Sequence, residues 1–202
     1  MRIWSDSFEH RHRIPAEFAM GTPEGFGGNR NPHLAWTDAP AGTQSFALLC
    51  IDTDAPTDGA LVADDSTDIP VAHPRGDFVH WTVVDIPAAV REIADGSCSN
   101  GIIARGKPAG SDAGGRRGLN DYTGWFANDV DMAGTYRGYD GPCPPWNDMI
   151  VHHYRFTLYA LGVERVGVEG DFTAPQVLDA IKRHVLAEAT LVGTYTLNPG
   201  VK

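Results

Sequence analysis

The chain has 202 residues, 42% of them hydrophobic and 21% charged, and 26 acidic against 16 basic residues give a net charge of −10. That is enough chain to bury a core without disulfide staples, and it fits one soluble domain over residues 1–202. The acidic balance argues against nucleic acid and anionic membrane surfaces as partners. The best basic patch, Arg116-Arg117, is short and set among glycines.

In chain order, the opening MRIWSDSFEHRHR has no apolar leader core, and no later run is long enough to cross a bilayer. The expected location is therefore cytoplasmic, without integral membrane association. His10, His12 and Glu17 reproduce the H-x-H-x4-E core of a metal motif, but Trp4 and Glu24 stand where its glycines belong. No metal or cofactor is expected. Ser45–Ile51 (SFALLCI) reads as a strand buried on both faces, with Cys50 a small core residue. DTDAP follows, with Asp52 and Asp54 at the strand's end; a β-turn with Asp caps is the structural alternative. The long loop Thr57–Asp77 leads to a second strand, Phe78–Ile86 (FVHWTVVDI), which carries His80. A lone strand histidine is more often a satisfied core residue than a ligand. The two carboxylates of DTDAP raise the odds that this one works.

Ser97–Gly141 forms another long loop, glycine-rich in its first half, and Trp125, Phe126, Tyr136 and Tyr139 crowd its end. These aromatics read as a pocket rim or as an oligomer contact. GPCPPWNDMIVHHY then places a rigid turn before a third strand, Tyr154–Gly162. Gly141 lets backbone approach a ligand, and Pro142, Pro144 and Pro145 stiffen the wall. Alternation puts His152 and Tyr154 on one face and His153 on the other. Val163–Val168 extends this strand or forms another. The periodicity of Val177, Leu178, Ile181, Val185 and Leu186 predicts a helix over Ala174–Ala189, capped by Thr173 with Pro175 in its first turn. LVGTYTL closes the chain as a strand. The fold class is mainly β, with a late helix.

Taken together, NPHLAWTDAPAGTQSFALL, DTDAP, FVHWTVVDIPA, GYDGPCPP, HHYRFTLYAL and HVLAEATLVGTY resemble the phosphatidylethanolamine-binding protein family. The similarity is to its bacterial and archaeal, Raf-kinase-inhibitor-like branch and spans nearly the whole chain. The resemblance implies a large central antiparallel sheet packed with a smaller one, few peripheral helices, and a small pocket for phosphate or phospholipid head groups. By motif, that pocket falls on Asp52, Asp54, His80, Gly141, Pro142, Pro144, His152 and Tyr154. The resemblance also implies a cis Ala55–Pro56 bond, a homodimer, and a possible kinase or protease partner. Thr53 stands where the family usually has proline. Histidine nitrogens, a phenol and loop amides are donors suited to phosphate oxygens, with Asp52 orienting a histidine so that its other nitrogen donates. An enzyme is the competing class, since His80, His152, Tyr154 and Asp52 suit acid–base work. The chain lacks a G-x-S-x-G elbow, a P-loop or a metal triad, which favours binding over catalysis, and Cys143 reads as part of the turn.

Overall fold

The computed structural model describes residues 1–62, 64 and 66–201, so Ala63 and Asp65 of the Thr57–Asp77 loop lie outside the described residues. Strands β5 (Ser45–Pro56), β6 (Arg75–Pro87), β8 (Ser111–Asp112), β9 (Gly115–Arg117), β10 (His152–Leu161) and β11 (Val185–Tyr195) form one antiparallel sheet. Their order is β11-β10-β5-β6-β9-β8. A smaller sheet pairs β1 (Arg2–Trp4), β4 (Leu34–Thr37) and β7 (Glu92–Ile93), and β2 (Gly21–Thr22) pairs with β3 (Gly25–Phe26) as a short hairpin.

Alternation along β5 explains the layering. Phe46, Leu48 and Cys50 face one side and pack with Trp36 and Leu34 of the small sheet and with Phe156 and Leu158 of β10. Ala47, on the opposite face, joins Val84, Leu161, Val166, Phe172, Val177 and Ile181 beneath helix α2 (Ala174–Ile181). A strand covered on both sides must be apolar at nearly every position, as SFALLC is.

The structure moves several boundaries. The β5 strand runs through DTDAP to Pro56, pairing Ala55 with Gly76 and Pro56 with Arg75, so that segment is an extended hairpin arm and not a turn. The chain has no cis peptide bond among the described residues, so Ala55–Pro56 is trans, as extended pairing requires. Helix α2 ends at Ile181, because Val185 onward pairs with β10, from Leu161↔Val185 to His152↔Tyr195. The stripe continuing through Val185 and Leu186 belongs to that strand, where Leu186 is exposed. Thr173 does cap the helix, with its N–H donated to Gln176 Oε1 at 2.9 Å. Val163–Val168 forms no strand, and Val166 and Val168 are buried in the α2-side core.

Candidate functional site

Three adjacent strands supply the floor of one cavity. Tyr154 on β10 lies across from Asp52 on β5, and Asp52 lies across from Phe78 on β6. His80, two residues beyond Phe78, faces the same way. The cavity, of about 320 Å³, is lined at its floor by Asp52, Phe78, His80, Tyr122, His152 and Tyr154. Its walls and mouth come from Met20, Phe26, Trp125, Phe126, Cys143, Pro144 and Trp146, among others.

His152 is the most constrained of these groups. Its Nδ1 lies 2.7 Å from Asp52 Oδ2 and its Nε2 lies 3.1 Å from Asp148 Oδ2. Two carboxylates can only accept, so both ring nitrogens carry protons and the side chain is an imidazolium. Burial alone would lower its pKa, but the hydrogen bonds and charges of Asp148 and Asp52 outweigh burial and raise it to about 9. Arg75 completes the chain with a bidentate pair to Asp148, Nη2 to Oδ1 at 2.9 Å. Desolvation of Asp148 is outweighed by His152 and Arg75, and its pKa is lowered. The expectation that a histidine held by Asp52 keeps its other nitrogen for a ligand is thereby corrected for His152.

His80 is held differently. Its Nδ1 lies 2.8 Å from the Asp140 carbonyl, which can only accept, so Nδ1 carries the proton. Burial lowers its pKa against the opposing pull of Asp52, the Asp140 carbonyl and more distant carboxylates. The ring is neutral near pH 7, and Nε2 is a bare lone pair with no partner among the described residues. Phe78, Tyr122 and Tyr154 surround it, with ring centroids 5.0, 5.5 and 5.1 Å away. The Asp140 segment is itself fixed, since Asp140 Oδ1 accepts from Lys107 Nζ at 2.7 Å and Asn29 Nδ2 at 2.8 Å, and Oδ2 from Asn120 Nδ2 at 2.8 Å. Tyr154 is 0% exposed, and its hydroxyl makes no well-formed hydrogen bond, although the Asp52 carboxylate across the sheet is close enough to interact with it. Burial, then the Asp52 charge, push its pKa well up, so it is a neutral phenol.

The turn Gly141–Pro145 is a wall with few donors. Pro142, Pro144 and Pro145 have no N–H, and the Gly141 N–H is committed to Asn29 Oδ1 at 2.7 Å. Gly141 and Pro142 lie behind the cavity and do not line it: the Pro142 carbonyl accepts from Met20 and Gly21, and a Cβ at Gly141 would stand 2.1 Å from the Phe18 carbonyl oxygen. Gly141→Ala is expected to cost about 2 kcal/mol, because backbone on both sides must shift; an unchanged unfolding midpoint in urea would contradict this. Cys143 lines the cavity with its sulfur over Gly21, and burial pushes its thiol up to about 11. Asp54 also lies off the site: its Oδ2 accepts from the His153 N–H and pairs with His153 Nδ1, both at 2.8 Å, on the opposite face.

Of the rim aromatics, Trp125 and Phe126 line the cavity and the other two do not. The segment before them is stitched along β6, Gly118 N–H to Thr82 O and Asp121 N–H to Val79 O, which aims helix α1 (Tyr122–Trp125) over the opening. Tyr136 packs behind Tyr122 and donates to the Met132 carbonyl, and Tyr139 packs on Trp81 and donates to Phe18. The loop after Thr57 serves the site indirectly. Asn147 Nδ2 donates to the carbonyls of Leu61 and Thr67 at 2.8 and 2.7 Å, and Ile69 bridges to Asp148. Sequence reasoning missed Asp148, Arg75, Phe78 and Tyr122. Only Phe78 carried a signal, by its two-residue spacing from His80.

Fold and site define a β-sandwich protein with an aromatic-walled cavity across three strands of its larger sheet. A sequence model of the family described as phosphatidylethanolamine-binding protein matches residues 4–196, and the chain belongs to that family. The chain is similar to the UPF0098 protein YbhB of Escherichia coli K12, at 30% identity over 97% of this chain and 100% of the relative. A UPF0098 protein of Aquifex aeolicus is also 30% identical, over 96% of this chain and 88% of its own. The crystal structure of E. coli YbcL superposes with a TM-score of 0.71 at 27% identity, covering 96% and 97% of the two chains. No helix among the described residues is long and apolar enough to cross a membrane.

Proposed function

We propose that the protein binds a phospholipid head group or a small phosphorylated ligand in the Asp52–His80–Tyr154 cavity and performs no chemistry on it. The observation that carries this is the Tyr154 hydroxyl, wholly buried and without a well-formed hydrogen bond beside Asp52, His80 and His152 on the floor of an aromatic-walled cavity. An orphaned buried hydroxyl costs about 1–3 kcal/mol, a cost a ligand's polar atom would remove. Family membership supports the same reading. The acid–base groups are poorly placed for turnover, since both nitrogens of His152 are taken by carboxylates and the Cys143 thiol is held protonated.

Phosphoethanolamine is expected to bind the wild type in calorimetric titration. Tyr154→Phe should weaken it about fivefold, one neutral hydrogen bond, without lowering thermal stability. Heat of binding indistinguishable between the two proteins would remove Tyr154 from the site. Exposed aromatics at the mouth, Phe26 at 71%, Trp125 at 52% and Trp146 at 42%, favour a second role: a docking face for a macromolecule, where the kinase, protease or second copy implied by the family would meet the protein. Loss of such a complex in Trp125→Ser with ligand binding retained would separate the two roles. The proposal places the protein in the cytoplasm, and recovery in the membrane fraction of lysed cells would count against that.

A further inference from the structure

Large apolar side chains stand exposed around the mouth, from segments far apart in sequence. Phe26 is at the tip of the β2–β3 hairpin, Trp125 ends α1, and Trp146 stands in the turn before β10. Val71 and Met149, 68% and 40% exposed, extend this surface outward and do not line the cavity. Backbone bonds hold them beside it: Ile69 N–H to Asn147 O at 2.9 Å and Met149 N–H to Ile69 O at 3.1 Å tie the Val71 segment to the Trp146 turn. Phe26 is joined through its partner Gly21, which packs against Cys143 and Leu197. Contiguous exposed apolar surface marks an interaction site.

The charges of these segments have one sign. Glu24 sits in the β2–β3 turn, Asp58 and Asp68 in the loop before β6, and Asp129 and Asp131 after α1, all exposed. Residues 20–26, 121–132 and 143–149 contain no lysine or arginine, and residues 55–75 contain only Arg75, which is bound to Asp148. Arg13, beside Tyr195, is occupied by the Thr196 carbonyl and the Tyr195 ring. An acidic rim on a chain of net charge −10 attracts a cationic partner and repels an anionic lipid surface. The indole faces of Trp125 and Trp146 suit lysine or arginine as well as apolar side chains, and Met149 adapts to the shape it meets.

Backbone pairing is closed to that partner. At the mouth β5 lies between β10 and β6, and the other side of β6 is already taken. Gly118 N–H bonds to Thr82 O, Asp121 N–H to Val79 O and Asp140 N–H to His80 O. An extended chain finds no free strand edge there, whereas a helix arrives with its backbone bonds made and docks by its side chains.

We propose that the rim of the mouth docks a cationic amphipathic helix of a partner protein. Its apolar face lies on Phe26, Val71, Trp125, Trp146 and Met149, and its lysines and arginines stand over the carboxylates of Glu24, Asp58, Asp68, Asp129 and Asp131. This rests on the reading of the rim as a docking face, and it adds the chemistry of the partner.

The test is fluorescence anisotropy of labelled peptides titrated with the full chain. One peptide is a leucine–lysine amphipathic helix of about 18 residues, roughly 27 Å long. The second has the same composition scrambled so that no apolar face forms, and the third has glutamate for lysine. The leucine–lysine helix should bind at least about tenfold more tightly than its scramble, and the glutamate peptide should not bind. Trp125→Ser should weaken the helix about tenfold, as loss of an aromatic anchor does. Asp129→Asn with Asp131→Asn should weaken it several-fold at about 50 mM salt and hardly at all at about 500 mM. Asparagine keeps the acceptor that Asp129 Oδ1 offers to the Asp131 and Met132 N–H groups, so the turn is preserved. Equal binding of helix and scramble, or a helix indifferent to Trp125→Ser, would reduce the effect to net charge and overturn the proposal. Binding of the glutamate peptide in its place, lost in Trp125→Ser, would overturn the cationic partner and leave the docking face. Trp125-dependent binding to phosphatidylcholine vesicles, or a Trp125-dependent dimer, with all peptides silent, would give the rim to a membrane or a second copy and overturn the proposal equally. Silence of every probe would overturn the docking face itself.

Discussion

Lys107→Met should cost the fold about 3–5 kcal/mol, the penalty for leaving a buried charge without its partner. Lys107 Nζ and Asp140 Oδ1 are 2.7 Å apart, with side chains only 4% and 1% exposed, so water cannot replace the ammonium once it is gone. The remaining donors, Asn29 and Asn120, are neutral amides and satisfy hydrogen bonds without cancelling the charge. Asp140 is also the residue whose carbonyl holds His80 Nδ1 and whose N–H bonds back to His80 O. The variant should therefore lose ligand affinity as well as stability. Urea unfolding checks the first effect and titration the second. A change in stability below about 1 kcal/mol would mean that the pair is hydrated in solution and contributes as a surface pair would.

Stability is also expected to fall as pH rises from about 6.5 to about 9. In the folded state the two carboxylates hold the His152 proton up to a pKa of about 9, and an unfolded histidine releases it near 6.5. Within that window the folded state binds the extra proton, so the stabilisation is complete below 6.5 and is lost as pH climbs through 9. At 1.36 kcal/mol per pKa unit the change is on the order of 3 kcal/mol. Asp148 works at the other end: its lowered pKa gives stability present above the ordinary carboxylate range and lost on acidification. His80, neutral when folded, adds to the acid loss, because its unfolded form takes up a proton below about 6.5. The optimum should lie near pH 6.5, and His152→Gln should flatten the alkaline limb. An alkaline limb of the same slope in that variant would assign the effect to another group.

The large-sheet strands and their facing were readable because each rule has one outcome at those residues. HHY on a strand must split its histidines, and SFALLC must be covered twice. The helix boundary was not readable, since an apolar stripe at Val185 and Leu186 fits a helical turn until its pairing with β10 is known. Family likeness drew attention to Asp52, His80, His152 and Tyr154, and the folded chain does place these four around one cavity. What likeness could not supply was the direction of each hydrogen bond. Asp148 sits four residues before His152 in irregular chain, with no periodicity to aim it, and Arg75 reaches it from 73 positions away. Those two residues, with the Asp140 carbonyl, decide which nitrogens of His152 and His80 are free.

The cavity lining runs from Met20 to Leu197, and neighbouring wall residues come from segments that meet only when the sandwich is closed. No fragment of the chain holds a partial version of this site, so occupancy and folding are linked across almost the entire sequence. A ligand at a hundred times its Kd would add about 2.7 kcal/mol to global stability. That gain should appear as slowed exchange of the most protected amides of β5 and β10, far from the mouth, as well as in the residues that touch the ligand. Melting temperature is therefore a direct readout of binding, and metabolite mixtures can be screened by heat alone.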